Sequence, residues 1–159
     1  MQHLQKIAAI NIEELERIRL KPEVEHERKV AIFDLLEENY FAPVGDVVGP
    51  YRLDLSIEDG KRLIIDVAKE KEEETFLQIK FPLMPVRKII KDYFLICDSY
   101  FKAIKTASPA QIEAIDMGRR GLHNEGSAIL RERIEDKVII DHDTSRRLFT
   151  LVCVLHIRQ

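Results

Sequence analysis

The sequence contains no tryptophan, only two cysteines, six glycines and six prolines among 159 residues, and aromatic residues make up 7% of it. So few glycines and prolines exclude collagen-like and low-complexity chains, and 45% hydrophobic residues exclude intrinsic disorder. Two cysteines are too few for a disulfide-stapled secreted scaffold. Cys97 and Cys153 both fall in apolar stretches, so they read as reduced core thiols of a cytoplasmic protein. Met1 to Leu15 has scattered charges and no continuous apolar region, so no secretory signal is expected. The longest apolar stretch, Leu148 to Leu155, is too short to span a bilayer, and no membrane partner is expected. An excess of basic charge is also missing. The net charge is −3, which speaks against general nucleic-acid binding.

What is present fits one α+β domain over residues 1–159, with 1–20 read as an N-terminal strand or arm. Lys6 to Glu13 is a weak strand pattern. Pro22 opens a helix expected to reach about Tyr40, with Glu23, Glu25 and Glu27 where the helix dipole favours negative charge. Its buried arc is expected to hold Val30, Ile32, Phe33, Leu36 and Tyr40, with His26 above it as a hydrogen-bonded structural histidine. Ala42 to Pro50 reads as a loop. Tyr51, Leu53, Leu55 and Ile57 then alternate with polar residues, Asp59-Gly60 is a hairpin turn, and Arg62 to Ala68 returns. Lys69 to Glu74, KEKEEE, is a solvated turn before a third strand, Thr75 to Phe81.

The rest of the chain is helical in pattern. Val86 to Thr106 repeats apolar residues at helical spacing and is expected to cover the sheet. Ser108, Pro109 and Gln111 form the signature of a capping box at the start of the next helix. Val138 to Ile140 reads as a short strand or an extended link. The final segment, capped by Asp141 or Asp143, is expected to be a buried central helix. The overall expectation is a small antiparallel β-meander of three to four strands packed against about four helices.

Ser108 to Ile134 carries the densest set of reactive side chains: Asp116, Arg119, Arg120, His123, Asn124 and Glu125, interleaved with Gly118, Gly121 and Gly126. On a straight helix Ile112, Ile115, Leu122, Ile129 and Leu130 mark a buried seam. Arg119 and Gly126 fall on that seam, and Asp116 and His123 edge it. A guanidinium facing the core needs a partner or a ligand, and Asp116 is the local candidate. Each internal glycine costs about 1 kcal/mol relative to alanine, so a close helix crossing, a break near Gly121 or a ligand at the backbone is needed to explain them.

Three readings stay open. One is a structural ion-pair network. Another is a ligand site for a small anion, built from Asp116, Arg119, Arg120, His123 and Asn124. The third is catalytic, with His123 and Glu125 in phosphoryl transfer or RNA cleavage. Arg146 and Arg147 either join the first arginine pair or bond Asp143, Glu132 and Glu135 on the surface. No HExxH, CxxC or calcium loop occurs, and Asp141-His142-Asp143 is better explained by capping. No metal site and no cofactor are expected. Function divides between a non-enzymatic binding or regulatory protein, self-associating or with a protein partner or small anionic ligand, and a small enzyme or RNA-processing factor using Arg119, His123 and Glu125.

Several stretches together resemble a family of small uncharacterised bacterial proteins typical of alphaproteobacteria. They are VAIFDLLEEN (Val30 to Asn39), GPYRLDLSI (Gly49 to Ile57), IKDYFLICDSYFKAI (Ile90 to Ile104), QIEAIDMGRRGLHNEG (Gln111 to Gly126) and SRRLFTLVCVLHIR (Ser145 to Arg158). The resemblance covers nearly the whole chain from about Glu23. It implies a bacterial cytoplasmic protein of single-domain size, and alanine in place of Gly118 in relatives. It implies no residue roles.

Overall fold

The computed structural model describes residues 4–12, 20–45 and 47–157. In chain order the elements are β1 (Ile7–Asn11), α1 (Pro22–Glu37), β2 (Phe41–Pro43), β3 (Tyr51–Glu58), β4 (Arg62–Lys69), β5 (Thr75–Pro82), α2 (Arg87–Thr106), α3 (Pro109–Ile134), β6 (Val138–Ile140) and α4 (His142–Ile157). This is the expected α+β architecture, with one correction to the sheet.

The meander forms as its alternation requires. Asp59 and Gly60 both adopt positive φ, 55° and 66°, the geometry of the tight turns that match strand twist. In register, Leu53 pairs with Val67 and Leu55 with Ile65, while Ile79 and Phe81 pair with Ile65 and Leu63. All of these are buried on one face. The other face carries polar pairs such as Gln78 Nε2 donating to Asp66 at 2.9 Å. β1 joins the edge of β3 in parallel, so the four-stranded sheet, in the order β1-β3-β4-β5, is mixed rather than antiparallel. The physical reason is the connection: α1 and β2 lie between β1 and β3, and a crossover of this kind returns the chain in the same direction. Asn39 fastens the junction. Its Oδ1 accepts from Ile7 N–H at 2.7 Å, and its Nδ2 donates to the carbonyls of Ile7 (3.0 Å) and Leu35 (2.7 Å).

The expected loop from Ala42 is also corrected at its start. Phe41–Pro43 pairs antiparallel with Val138–Ile140 as a separate two-stranded sheet. Proline is tolerated there because a two-stranded ribbon consists of edges only.

α1 ends at Glu37, short of Tyr40, and presents a different face from the one expected. Ala31 and Leu35 are buried, packing towards α4 and β1, whereas Val30, Phe33 and Leu36 are 42%, 67% and 39% exposed. The helix carries two apolar stripes, and the one with the small Ala31 is the one that meets its neighbours. α2 follows a single 3-10 turn, Met84–Val86, and contributes Ile89, Ile90, Tyr93 and Cys97 to the core. Its principal neighbour is α3 rather than the sheet, because only Ala107 and Ser108 separate the two and fold them into a helical hairpin. α1 lies against β1, α3 against β5 and α4 against β3, and the buried residues of α2 join the same core as the inner face of the sheet.

α3 is one unbroken helix of 26 residues. Ser108 Oγ accepts from Gln111 N–H at 3.3 Å and Gln111 Oε1 accepts from Ser108 N–H at 3.1 Å, the capping box read from sequence. Its buried residues are His123, Gly126, Ser127, Leu130 and Ile134, so His123 lies on the seam itself and not at its edge. Gly126 is a helix crossing: a Cβ there would lie far inside contact distance of Cζ of the Phe149 ring on α4. A Cβ on Gly118 would lie 2.7 Å from the mobile end of Ile96. At Gly121 a Cβ meets nothing within 4 Å. Gly121→Ala is therefore expected to stabilise the chain by about 0.5–1 kcal/mol in urea denaturation. A loss instead would mean that something outside the chain needs this backbone bare.

α4 is capped by Asp141, whose Oδ1 accepts from Thr144 N–H at 2.9 Å. Leu148, Phe149 and every residue from Leu151 to Leu155 are buried, and the helix touches α1, α3 and β3. It is the central helix expected from its nearly continuous apolar surface. No helix among the described residues is long and apolar enough to cross a membrane.

Candidate functional site

The polar positions of α1, α3 and α4 converge on one cavity of about 470 Å³. On α4, an otherwise apolar helix, Asp143, Arg146, Arg147 and Thr150 recur at i, i+3, i+4 and i+7 and so share one face. Arg119, Arg120 and His123 do the same on α3. α1 supplies His26, Glu27, Val30 and Asp34, and α2 supplies Tyr93.

Two of the four arginines are spoken for by carboxylates. Arg119 donates from Nε and Nη2 to Asp116 Oδ1, at 3.1 and 2.6 Å, and its Nη1 lies 3.7 Å from Glu27 Oε1. Its guanidinium rests 4.7 Å over the Tyr100 ring. Arg120 Nε lies 3.2 Å from the second oxygen of Asp116. Glu27 in turn accepts from Tyr93 O–H at 3.0 Å. Burial, then the charge of Glu27, pushes the Tyr93 hydroxyl far above its usual range, so Tyr93 stays a donor. Arg147 donates to the Glu38 carbonyl at 2.9 Å. Arg146 is different: among the described residues its guanidinium has no ion pair, and its Nε is buried without a hydrogen-bond partner. The surface pairing with Asp143, Glu132 or Glu135 weighed from sequence is absent, and Arg146 and Arg147 line the same cavity as Arg119 and Arg120.

His123 is buried between Tyr93 and Phe149, with ring centroids 5.4 and 5.5 Å away. Its Nε2 lies 2.7 Å from Thr150 Oγ1, and Thr150 gives its one proton to the Arg146 carbonyl at 3.2 Å. With the Thr150 proton on that carbonyl, Nε2 carries the hydrogen and Nδ1 is the acceptor; in either tautomer Nδ1 has no partner. Burial, followed by the charges of Arg146 and Arg119, pushes its pKa down to about 4. The ring is thus neutral at physiological pH.

The structure brings Asp116, Arg119, Arg120 and His123 together. Asn124 and Glu125 are exposed on α3 and do not line the cavity; the Asn124 carbonyl accepts from Ser127 Oγ at 3.1 Å. His26, expected as a hydrogen-bonded core histidine, is exposed at the rim. Sequence reasoning overlooked Glu27, Tyr93 and Thr150. For Thr150 a signal existed, the polar stripe on α4; for Glu27 and Tyr93 none did, since their roles arise from contacts between distant helices. Cys97 and Cys153 are buried and unpaired. Burial pushes the Cys97 thiol up to about 11 and holds that of Cys153 well above its usual value, so both are thiols rather than thiolates at neutral pH. Among the described residues no group of three or more His, Cys, Asp or Glu side chains could hold a metal ion. The arrangement can offer donors and positive charge to an anion, and a neutral imidazole beside it.

Comparison with known proteins adds relatives. The model of an uncharacterised protein family, UPF0262, matches residues 4–158. A UPF0262 protein of Paramagnetospirillum magneticum is 61% identical over 158 residues, 99% of each chain. One of Azorhizobium caulinodans is 56% identical over 95% of this chain and 93% of its own. One of Rhodospirillum rubrum is 57% identical over 94% and 91%. No solved structure matches the chain.

Proposed function

Because the chain belongs to the UPF0262 family, whose description assigns no activity, its role has to be read from the cavity, and we propose a non-enzymatic binding protein for a small phosphate- or carboxylate-bearing molecule. Arg146 carries this reading. A guanidinium with a buried, unpartnered Nε and, among the described residues, no ion pair is costly unless an anion completes it. Its planar fork suits a phosphate or carboxylate, and Arg147 and Arg120 line the same cavity. A volume near 470 Å³ is of metabolite size. A reducing cytoplasm suits the two unpaired thiols. The bare Nδ1 of His123 supports a second reading, in which the imidazole takes a proton from the bound molecule.

Thermal-shift and calorimetric titrations of wild type and Arg146→Gln with inorganic phosphate, nucleotides, dicarboxylates and short RNAs test the proposal. A true ligand at about 100 times its Kd stabilises wild type by about 2.7 kcal/mol, a rise of roughly 5–10 °C for this length of chain. Arg146→Gln, itself folded, is expected to bind about 10- to 100-fold more weakly. If no anion stabilises wild type, the anion reading fails. Turnover of the ligand that is lost in His123→Gln would replace binding by catalysis.

A further inference from the structure

The exposed stripe of α1 is self-complementary. Its members are Lys29, Val30, Phe33, Leu36 and Glu37, spaced to share one face. Phe33, at 67% exposure, is the centre, and the others sit symmetrically about it. Val30 and Leu36 stand three residues to either side, Lys29 and Glu37 four. A two-fold axis through Phe33 sets two such helices antiparallel and superposes opposite halves of the stripe. Phe33 then meets Phe33 of the second copy, Val30 meets Leu36, and Lys29 meets Glu37, each cross-pair occurring twice. Every contact is apolar on apolar or cation on anion. The charges are available: among the described residues Lys29, 72% exposed, pairs only with Glu25, at 4.0 Å, a carboxylate already taken by Arg28. Among the described residues Glu37 is exposed and has no ion pair. A lone exposed phenylalanine needs no explanation, but an apolar strip flanked by opposite charges at mirrored positions fits a specific partner.

We infer that this face of α1 binds a second copy of the chain, forming an antiparallel, two-fold symmetric helix pair centred on Phe33. A contact confined to one helix pair falls below the ~1,200 Å² typical of stable interfaces, so the association is a reversible monomer–dimer equilibrium.

Sedimentation equilibrium of the full chain, from about 2 to about 200 µM, tests it in a range suited to such a weak interface. Wild type is expected to pass from monomer to dimer, and Phe33→Asp to remain monomeric with unchanged circular dichroism. Lys29→Glu and Glu37→Lys each place two like-charge pairs in the interface and are expected to weaken the dimer about three- to tenfold. The double variant Lys29→Glu/Glu37→Lys restores the affinity. A mixture of the two single variants pairs preferentially with each other, because opposite charges meet at both ends. A wild type that is monomeric throughout, a dimer indifferent to Phe33→Asp, or single swaps that the double fails to rescue would each overturn the inference.

Discussion

Phe149→Ala is expected to lower the unfolding free energy by about 3–5 kcal/mol in urea denaturation, the range for deleting a buried aromatic ring. Phe149 has no exposed surface, sits where α4 crosses α3, and meets the His123 ring at 81° in a T-shaped contact. The ring occupies the space above Gly126 that a side chain would otherwise fill. The same geometry makes the effect of Gly126→Ala depend on its background. In wild type the added methyl group overlaps a closely packed ring, and overpacking of this kind costs about 1–3 kcal/mol, against which alanine returns about 1 kcal/mol of helix propensity. In the Phe149→Ala background the obstacle is gone, and Gly126→Ala is expected to be neutral or stabilising. The double-mutant cycle should therefore show a coupling of about 1–3 kcal/mol. A Gly126→Ala that stabilises wild type as much as it stabilises the Phe149→Ala background, with no coupling between the two, would mean that the ring yields freely and that the crossing does not require glycine.

The second large effect follows from His123. Its ordinary pKa of 6.5 is pushed down to about 4 in the fold, by burial first and then by Arg146 and Arg119. Below pH 6.5 the unfolded chain takes up a proton at this position while the folded chain does not, down to about pH 4. Stability is thus full above pH 6.5, falls as the pH drops from 6.5 towards 4, and levels off below. At 1.36 kcal/mol per pKa unit the loss is about 3 kcal/mol. His156, whose pKa is also lowered by burial and then by Arg87, adds a contribution of the same sign. Urea denaturation of wild type and His123→Gln at several pH values between 7.5 and 4 checks this. The variant is expected to lose most of the slope; an identical slope in both proteins would place the pH sensitivity elsewhere.

The parts of the fold that were legible in the sequence are those set by local chemistry. Asp59-Gly60 marks its turn because those residues tolerate positive φ, and Ser108 and Gln111 cap α3 because three residues bring each side chain to the other's backbone N–H. Alternation from Tyr51 to Ile57 tells one face from the other. α1 was not legible in the same way. Periodicity finds its apolar stripes but gives preference to the larger side chains, whereas packing chose the stripe of Ala31 and Leu35 and left Phe33 in solvent. The direction of β1 depends on the connection that follows it and not on its own residues. At the cavity, Asp116 and Arg119 were legible as neighbours three apart on one helix. Glu27 joining Arg119, or Arg146 left without a carboxylate, depends on how three helices pack, and no spacing within any one of them encodes it.

The parallel seam between β1 and β3 bears on the order of assembly. Hairpins join β3 to β4 and β4 to β5, so those pairings close over short connections. Pairing Ile7 with Tyr51 must instead close roughly forty residues, an extra entropic cost of roughly 2 kcal/mol relative to a tight hairpin, met before any of its own contacts form. Chains cross the folding barrier first through their near-neighbour contacts. The meander is then the early structure, and β1, with the amide clamp of Asn39, docks onto an edge that already exists. Interactions made after the barrier leave the folding rate alone and slow escape from the native state. The seam at β1 therefore sets how long a folded molecule lasts, while the meander sets how quickly one is made.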